Sequence, residues 1–157
     1  MMLPILLALA IQSAPNRLPK AGAAPTSSIA EQAVLAPINQ LLAAFQVGDA
    51  AGILRLVYPE GRVTANGTLP GRSGLRQESW AQFAARTKPG DGWLETTSDP
   101  AIEIDGDVAM VWAKYVVQVG GKVSNCGFDH FDLVGENGRW KVMNLTFSSR
   151  TAGCPAQ

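Results

Sequence analysis

The chain has 157 residues, 46% of them hydrophobic and 17% charged, with 13 basic side chains set against 13 acidic ones. That length and composition suit one globular domain with a sizeable core, and they exclude a disordered or fibrous chain. Zero formal charge and the lack of any Lys/Arg run remove the electrostatic footprint that nucleic acid or an anionic membrane needs, so neither is an expected partner.

Leu3 to Ile11 is a short apolar run followed by a Pro/Ala/Ser-rich stretch from Ser13 to Ser28, the pattern of a secretory signal with its best cleavage point after Ala14. The run is well short of the roughly 20 apolar residues a membrane span requires, and no later segment supplies one. The expected organisation is a signal segment and leader over 1–28, one domain over 29–150, and a tail over 151–157. Export to the periplasm or medium follows from this, and a frayed cytosolic N-terminus is the alternative. In an exported chain Cys126 and Cys154 are expected to pair and pin the tail onto a strand, against the alternative of two separate buried thiols. Their number and separation exclude a CxxC redox or zinc site.

Ser28 and Glu31 have the S-x-x-E spacing of a capping box, so a helix is predicted to start there. Val34, Ile38, Leu41, Leu42 and Phe45 give it one apolar face, Pro37 should bend it or mark a second start, and Gly48 should end it. Asp49 is placed to cap a short second helix through Ile53, Leu54 and Val57, stopped by Pro59 and Gly61. Arg62 to Leu69, with Asn66-Gly67 inside it, predicts a small hairpin. After the loop Pro70 to Gly74, a third helix carries Trp80, Phe83 and Ala84 and ends near Lys88. Strands are then predicted over Trp93–Thr97, Ala101–Asp105, Val108–Val119, Lys122–Val134 and Arg139–Ser149. Asp105-Gly106, Gly120-Gly121 and Asn137-Gly138 mark tight turns that make the last strands an antiparallel meander.

Helix, Gly48-Asp49, short helix, Tyr58-Pro59, strand, third helix and a meander closing on Gly138-Arg139-Trp140-Lys141-Val142 together resemble the nuclear transport factor 2-like (NTF2-like, cystatin-like) superfamily. More narrowly, Ile104-Asp105-Gly106-Asp107-Val108-Ala109, the Gly121-Lys122 turn and Cys126-Gly127-Phe128-Asp129-His130-Phe131-Asp132-Leu133 resemble its exported bacterial members labelled lumazine-binding. The resemblance runs from about Ala30 to Arg150. It implies an α+β fold in which three N-terminal helices pack in the concave face of a curved, mostly antiparallel sheet. It also implies a pocket in the cone between helices and sheet, and an outer face that often makes a dimer. The superfamily spans ketosteroid isomerase-like and dehydratase-like enzymes, polyketide cyclases and members without known activity, so fold analogy does not choose a function.

Neighbours on a strand point to opposite faces. Phe131 and Leu133 are core residues, so Gly127 and Asp129 should share the inner face, with Cys126, Phe128, His130 and Asp132 on the other. This separates Asp129 from His130, the single histidine, and argues against an acid–base dyad of the two. Lys114 facing water puts Val111, Ala113 and Tyr115 inside with Asp129. An inward carboxylate needs a partner or a proton: held by a fixed donor Asp129 is structural or ligand-binding, and facing an apolar cavity it is the best catalytic candidate, with Tyr115 placed to assist it, to satisfy it or to bind the ligand. Tyr58, Trp80 and Phe83 are expected to join Tyr115 and Asp129 in walling the pocket. Met110, Trp112, Val116 and Phe128 make an apolar outer face, to which Leu145 is added as a dimer contact. The alternative is that the leader or the tail covers that face. In the last strand both Trp140/Val142 and Met143/Leu145/Phe147 are apolar, which implies a bulge or a face covered on both sides.

No Gly-rich loop has phosphate-binding spacing, no Ser/His/Asp order suggests a triad, and one histidine makes a first-row metal site improbable, so neither metal nor cofactor is expected. Three functions stay open. One is an exported domain holding a small apolar or aromatic ligand, and another a cofactor-independent isomerase, dehydratase or hydrolase using Asp129. The third is a structural homodimer or partner-binding module without ligand. A cavity reaching Asp129 separates the first two from the third, and free oxygens on Asp129 favour the enzyme.

Overall fold

Ser28 opens the first helix as its spacing predicts. Its hydroxyl accepts from the Glu31 amide at 3.2 Å while the Glu31 carboxylate accepts from the Ser28 amide at 2.6 Å. The computed structural model describes residues 28–69, 71–88 and 92–155, so the leader expected over 1–28 lies outside the described residues apart from Ser28. Helix α1, Ile29–Val47, is continuous through Pro37, so the second start offered there as one alternative does not occur. Proline gives no N–H to the carbonyl one turn back, but Val34, Ile38, Leu41 and Phe45 are all buried around it, and that packing carries the helix across the gap. Gly48, at φ 69°, closes α1. Asp49 then caps α2, Ala50–Leu56, by accepting from the Gly52 amide at 2.8 Å.

The sheet follows as β1 (Arg62–Leu69), β2 (Arg72–Ser73) and β3 (Arg76–Ser79), then helix α3 (Trp80–Arg86), then β4 (Trp93–Asp105), β5 (Val108–Val119), β6 (Lys122–Glu136) and β7 (Arg139–Ser149). Its order is β2-β1-β7-β6-β5-β4, with β3 also paired to β1. The β1–β7 pairing is parallel and the others are antiparallel. The three helices pack against the concave side of this curved sheet, and residues from α1, α2, α3, β1 and β4 through β7 meet in one hydrophobic core. The expected α+β architecture is the observed one.

Three local expectations are corrected. Asn66-Gly67 is no turn: both residues are extended within β1 and pair in parallel with Ser148 and Ser149. Glycine is needed there for close approach, because a Cβ on Gly67 would stand 2.1 Å from the Ser149 carbonyl oxygen. The chain reverses instead between Leu69 and Arg72, and a third short strand, β3, fills the edge of β1. The two strands predicted over Trp93–Asp105 are one, kept in phase by a bulge between Ser98 and Ala101 where Asp99 takes φ 50°. The β4–β5 turn is Gly106-Asp107, one residue later than the dipeptide predicted.

A second bulge explains the last strand. Register shifts so that Asp132 faces Asn144 while Leu133 faces Val142, leaving Met143 extra. The shift turns Val142 and Leu145 to the same, inner side, and both are buried. It also leaves the Met143 carbonyl to accept the indole N–H of Trp80 at 2.9 Å. Trp80 opens α3 from a second capping box, Ser79 with Gln82, and is fully buried. Trp80→Phe keeps an aromatic side chain but deletes this donor and part of the buried volume, so a loss of at least about 1–3 kcal/mol is expected in urea unfolding, from the unmade bond, the stranded carbonyl and the space left behind. An unchanged midpoint would show that the bond contributes nothing.

Candidate functional site

Strand β5 alternates cleanly. Ala109, Val111, Ala113, Tyr115 and Val117 are buried, and Val108, Met110, Trp112 and Lys114 point away. Antiparallel pairing carries that phase into β6, where Asp129 sits opposite Ala113 and Gly127 opposite Tyr115, and into β4, where Glu95 sits opposite Val117. Inner-face side chains of β1, β4, β5, β6 and β7, with α1, α3 and the strands β2 and β3, enclose a cavity of about 270 Å³. Its walls are apolar at Phe45, Val63, Phe83, Trp93, Leu145 and Phe147, and polar at Glu95, Tyr115, Asn125 and Asp129.

Asp129, 2% exposed, is the deepest charged group of the site. Its partner is one the sequence analysis missed: the Glu95 carboxyl lies within hydrogen-bonding reach of it. No described group donates to Asp129 Oδ2. Burial pushes Asp129 up to about 7, with the bond from Glu95 working against the rise. Glu95 is raised well above the usual carboxylate range, first by burial and then by the Asp129 charge beside it. Two carboxyls so placed cannot both ionise cheaply, so near neutral pH the pair holds a proton, with Glu95 as donor and the Asp129 carboxylate as acceptor. The signal for Glu95 lay in the alternation of Trp93, Glu95 and Thr97.

Tyr115 is brought to the site but its hydroxyl is engaged. It lies 2.9 Å from the Ser148 carbonyl oxygen and 3.0 Å from Asn125 Oδ1. One hydroxyl proton serves one acceptor, so Tyr115 donates to Ser148 and is fully paired if the Asn125 amide turns to donate back. Burial, then the Asp129 and Glu95 charges, push its pKa up against the opposing Arg150. It therefore remains a neutral phenol. Its ring crosses Gly127, where an added Cβ would stand 2.0 Å from the Ser148 oxygen and 2.9 Å from Tyr115 Cε1.

Phe83 lines the cavity as expected, in ring contact with Phe45 at 4.8 Å. Two other predicted wall residues do not. Trp80 is core beneath the site, its indole N–H held by Met143. Tyr58 is fixed next to Val142 by its backbone, lies under Lys141 Nζ at 5.6 Å and interacts with Glu136, away from the cavity. Both were assigned from aromatic character, which marks cores and surfaces as readily as pockets. Leu145 is not an outer-face residue either: it is 3% exposed, pairs with Val63 and Phe131, and lines the cavity.

The rest of the outer face stands as its phase predicts. Trp112 stacks on Phe128 at 5.3 Å and lies 5.9 Å from His130, whose Nε2 is 3.7 Å from Asp132 Oδ1. His130 and Asp129 are thus on opposite sides of the sheet. Cys126 and Cys154 form a disulfide, and Cys126 also exchanges backbone hydrogen bonds with Arg150 at 3.0 and 2.9 Å. No cluster of metal-ligating side chains occurs among the described residues, and none of their helices is long and apolar enough to cross a membrane.

No family model and no curated protein matches the chain. Solved structures do. An NTF2-like protein with a cystatin-like fold from Novosphingobium aromaticivorans superposes with a TM-score of 0.62 at 16% identity, over 78% of this chain and 82% of that one. A cystatin-like protein of unknown function from Nostoc punctiforme gives 0.61 at 11% identity, over 80% and 95%. The chain has the NTF2-like, cystatin-like fold. A ketosteroid isomerase-like protein from Shewanella frigidimarina shares this NTF2-like fold, with a TM-score of 0.57 at 20% identity over 74% of this chain and 94% of that one. In this NTF2-like cone the cavity lies between the helices and the concave face, with the Glu95–Asp129 pair in its wall.

Proposed function

We propose that the chain is an exported binding domain that holds a small, largely apolar or aromatic molecule in its cone. The observation that carries this is the cavity itself: an aromatic-walled space of about 270 Å³ meeting a few buried polar groups, the usual make-up of a small-molecule site. The disulfide supports an oxidising compartment. The exposed Trp112–Phe128 stack, with Trp112 46% exposed, supports a homodimer across the outer face.

A second reading has its own observation. The buried, unpartnered Oδ2 of Asp129 beside a protonated Glu95 suits general acid–base chemistry, in which Asp129 takes a proton from a carbon acid and Glu95 stabilises the developing negative charge. Native mass spectrometry of the chain purified from its own host tests the first reading, which expects a bound small molecule on a dimer. Ala65→Phe, which fills the cavity, should abolish the adduct. A ligand-free protein would sink the binding reading, and a monomer the dimer. With the recovered ligand in hand, Asp129→Asn separates the readings. An enzyme loses turnover by at least about a hundredfold with binding retained, whereas a pure binding protein shows no turnover to lose.

A further inference from the structure

The cavity has a charged rim whose balance is incomplete. Arg86 is satisfied: its Nε lies 2.9 Å from Glu78 Oε2 and 3.1 Å from Oε1, and its guanidinium stacks on Phe83 at 4.4 Å. Among the described residues Glu78 is the one acid on the rim, and Arg86 takes it up. Arg76 also lines the cavity but enters no ion pair among the described residues, and its Nη1 is buried without an acceptor. A guanidinium cannot shed its charge, so a buried, unmatched donor on it is costly unless something supplies an oxygen. Arg72 and Lys88 on the same rim add positive charge and enter no ion pair among the described residues.

Register fixes where Arg76 stands relative to the carboxyl pair. Arg76 is opposite Ala65, Ala65 opposite Phe147, and Phe147 opposite Asp129, so the four form one row across β3, β1, β7 and β6. Three strand spacings separate the ends, about 14 Å along the sheet. Between the ends the row is apolar, with Phe83 and Leu145 also in the cavity wall.

We propose that the cone takes an elongated apolar carboxylate, its anionic group held by Arg76 at the rim and its body lying along this row toward Glu95 and Asp129. This rests on the small-molecule reading of the cavity and adds the ligand's charge, polarity and orientation. Arg matches a carboxylate with two parallel N–H···O bonds, which a neutral amide of the same shape cannot accept as well.

The test is calorimetric titration of the full chain with 2-naphthoate and with its neutral isostere 2-naphthamide. Wild type is expected to bind the carboxylate roughly tenfold or more tighter, the effect of one charge-assisted bidentate contact. Arg76→Gln should bring the two affinities together while leaving the amide's unchanged, and Arg55→Ala, an exposed arginine on α2 outside the cavity wall, should preserve the preference. Equal affinities in wild type, or a preference that survives Arg76→Gln, would overturn the inference and leave the binding reading intact. Binding of neither probe would overturn both. Should Arg76→Gln fold poorly, Arg76→Lys, which keeps the charge but loses the bidentate fork, should still narrow the preference, and an undiminished preference there would overturn the inference.

Discussion

Raising the pH from about 4 to about 8 is expected to destabilise the folded chain, and Glu95→Gln is expected to remove much of that loss. In the unfolded chain Asp and Glu ionise near 4, whereas in the folded chain Asp129 ionises at about 7 and Glu95 is raised as well. Between those limits the folded state holds more protons than the unfolded one, so stability is fully present below about 4 and falls as pH rises through about 7. For Asp129 alone the displacement from 3.8 to about 7 corresponds to a loss on the order of 4 kcal/mol. Glu95→Gln replaces one acid with a neutral amide that can still donate to Asp129, so the variant should lose less stability over the same range and exceed wild type at pH 8. Urea unfolding at a series of pH values checks this, using the difference between the two proteins so that surface groups cancel. Parallel profiles would show that the two carboxyls do not share a proton in the fold.

Reduction of Cys126–Cys154 is expected to be nearly as costly. The bridge spans a sequence separation of 28, for which the loop-entropy model gives about 3.5 kcal/mol. For a domain of this size that corresponds to a fall in Tm of roughly 10–15 °C. The bridge also secures the pairing of Cys126 with Arg150, close behind the Tyr115–Ser148 hydrogen bond. The paired Cys126→Ser/Cys154→Ser variant, unfolded with and without reductant beside wild type, should match reduced wild type. Identical midpoints for oxidised and reduced wild type would show that the tail contributes nothing.

The legible parts of the sequence were those governed by neighbours in the chain. Ser28 with Glu31, the αL glycine at 48, the Gly120-Gly121 turn and the alternation of Val108–Val119 each settle their own geometry; Tyr115 followed from that alternation, and Asp129 from its phase with Phe131 and Leu133. Failures came where a distant strand decides. Asn66-Gly67 looks like a turn until β7 arrives beside it, and Leu145 changes face because Met143 is extra in the register. Glu95 was within reach, since Trp93 is apolar and Glu95 shares its phase, but a carboxylate's inward role appears only when β6 brings Asp129 across the cleft. Trp80 and Tyr58 show the opposite error, in which side-chain type stood in for position.

The extra residue at Met143 has one more consequence. It divides the last strand into two stretches with separate duties: Val142 closes the helix-packed core through its bridge to Val57, while Leu145 and Phe147 face the cavity. Substitutions at Leu145 or Phe147 therefore alter the cavity wall, which Val142 does not line. One strand thus serves two different parts of the fold.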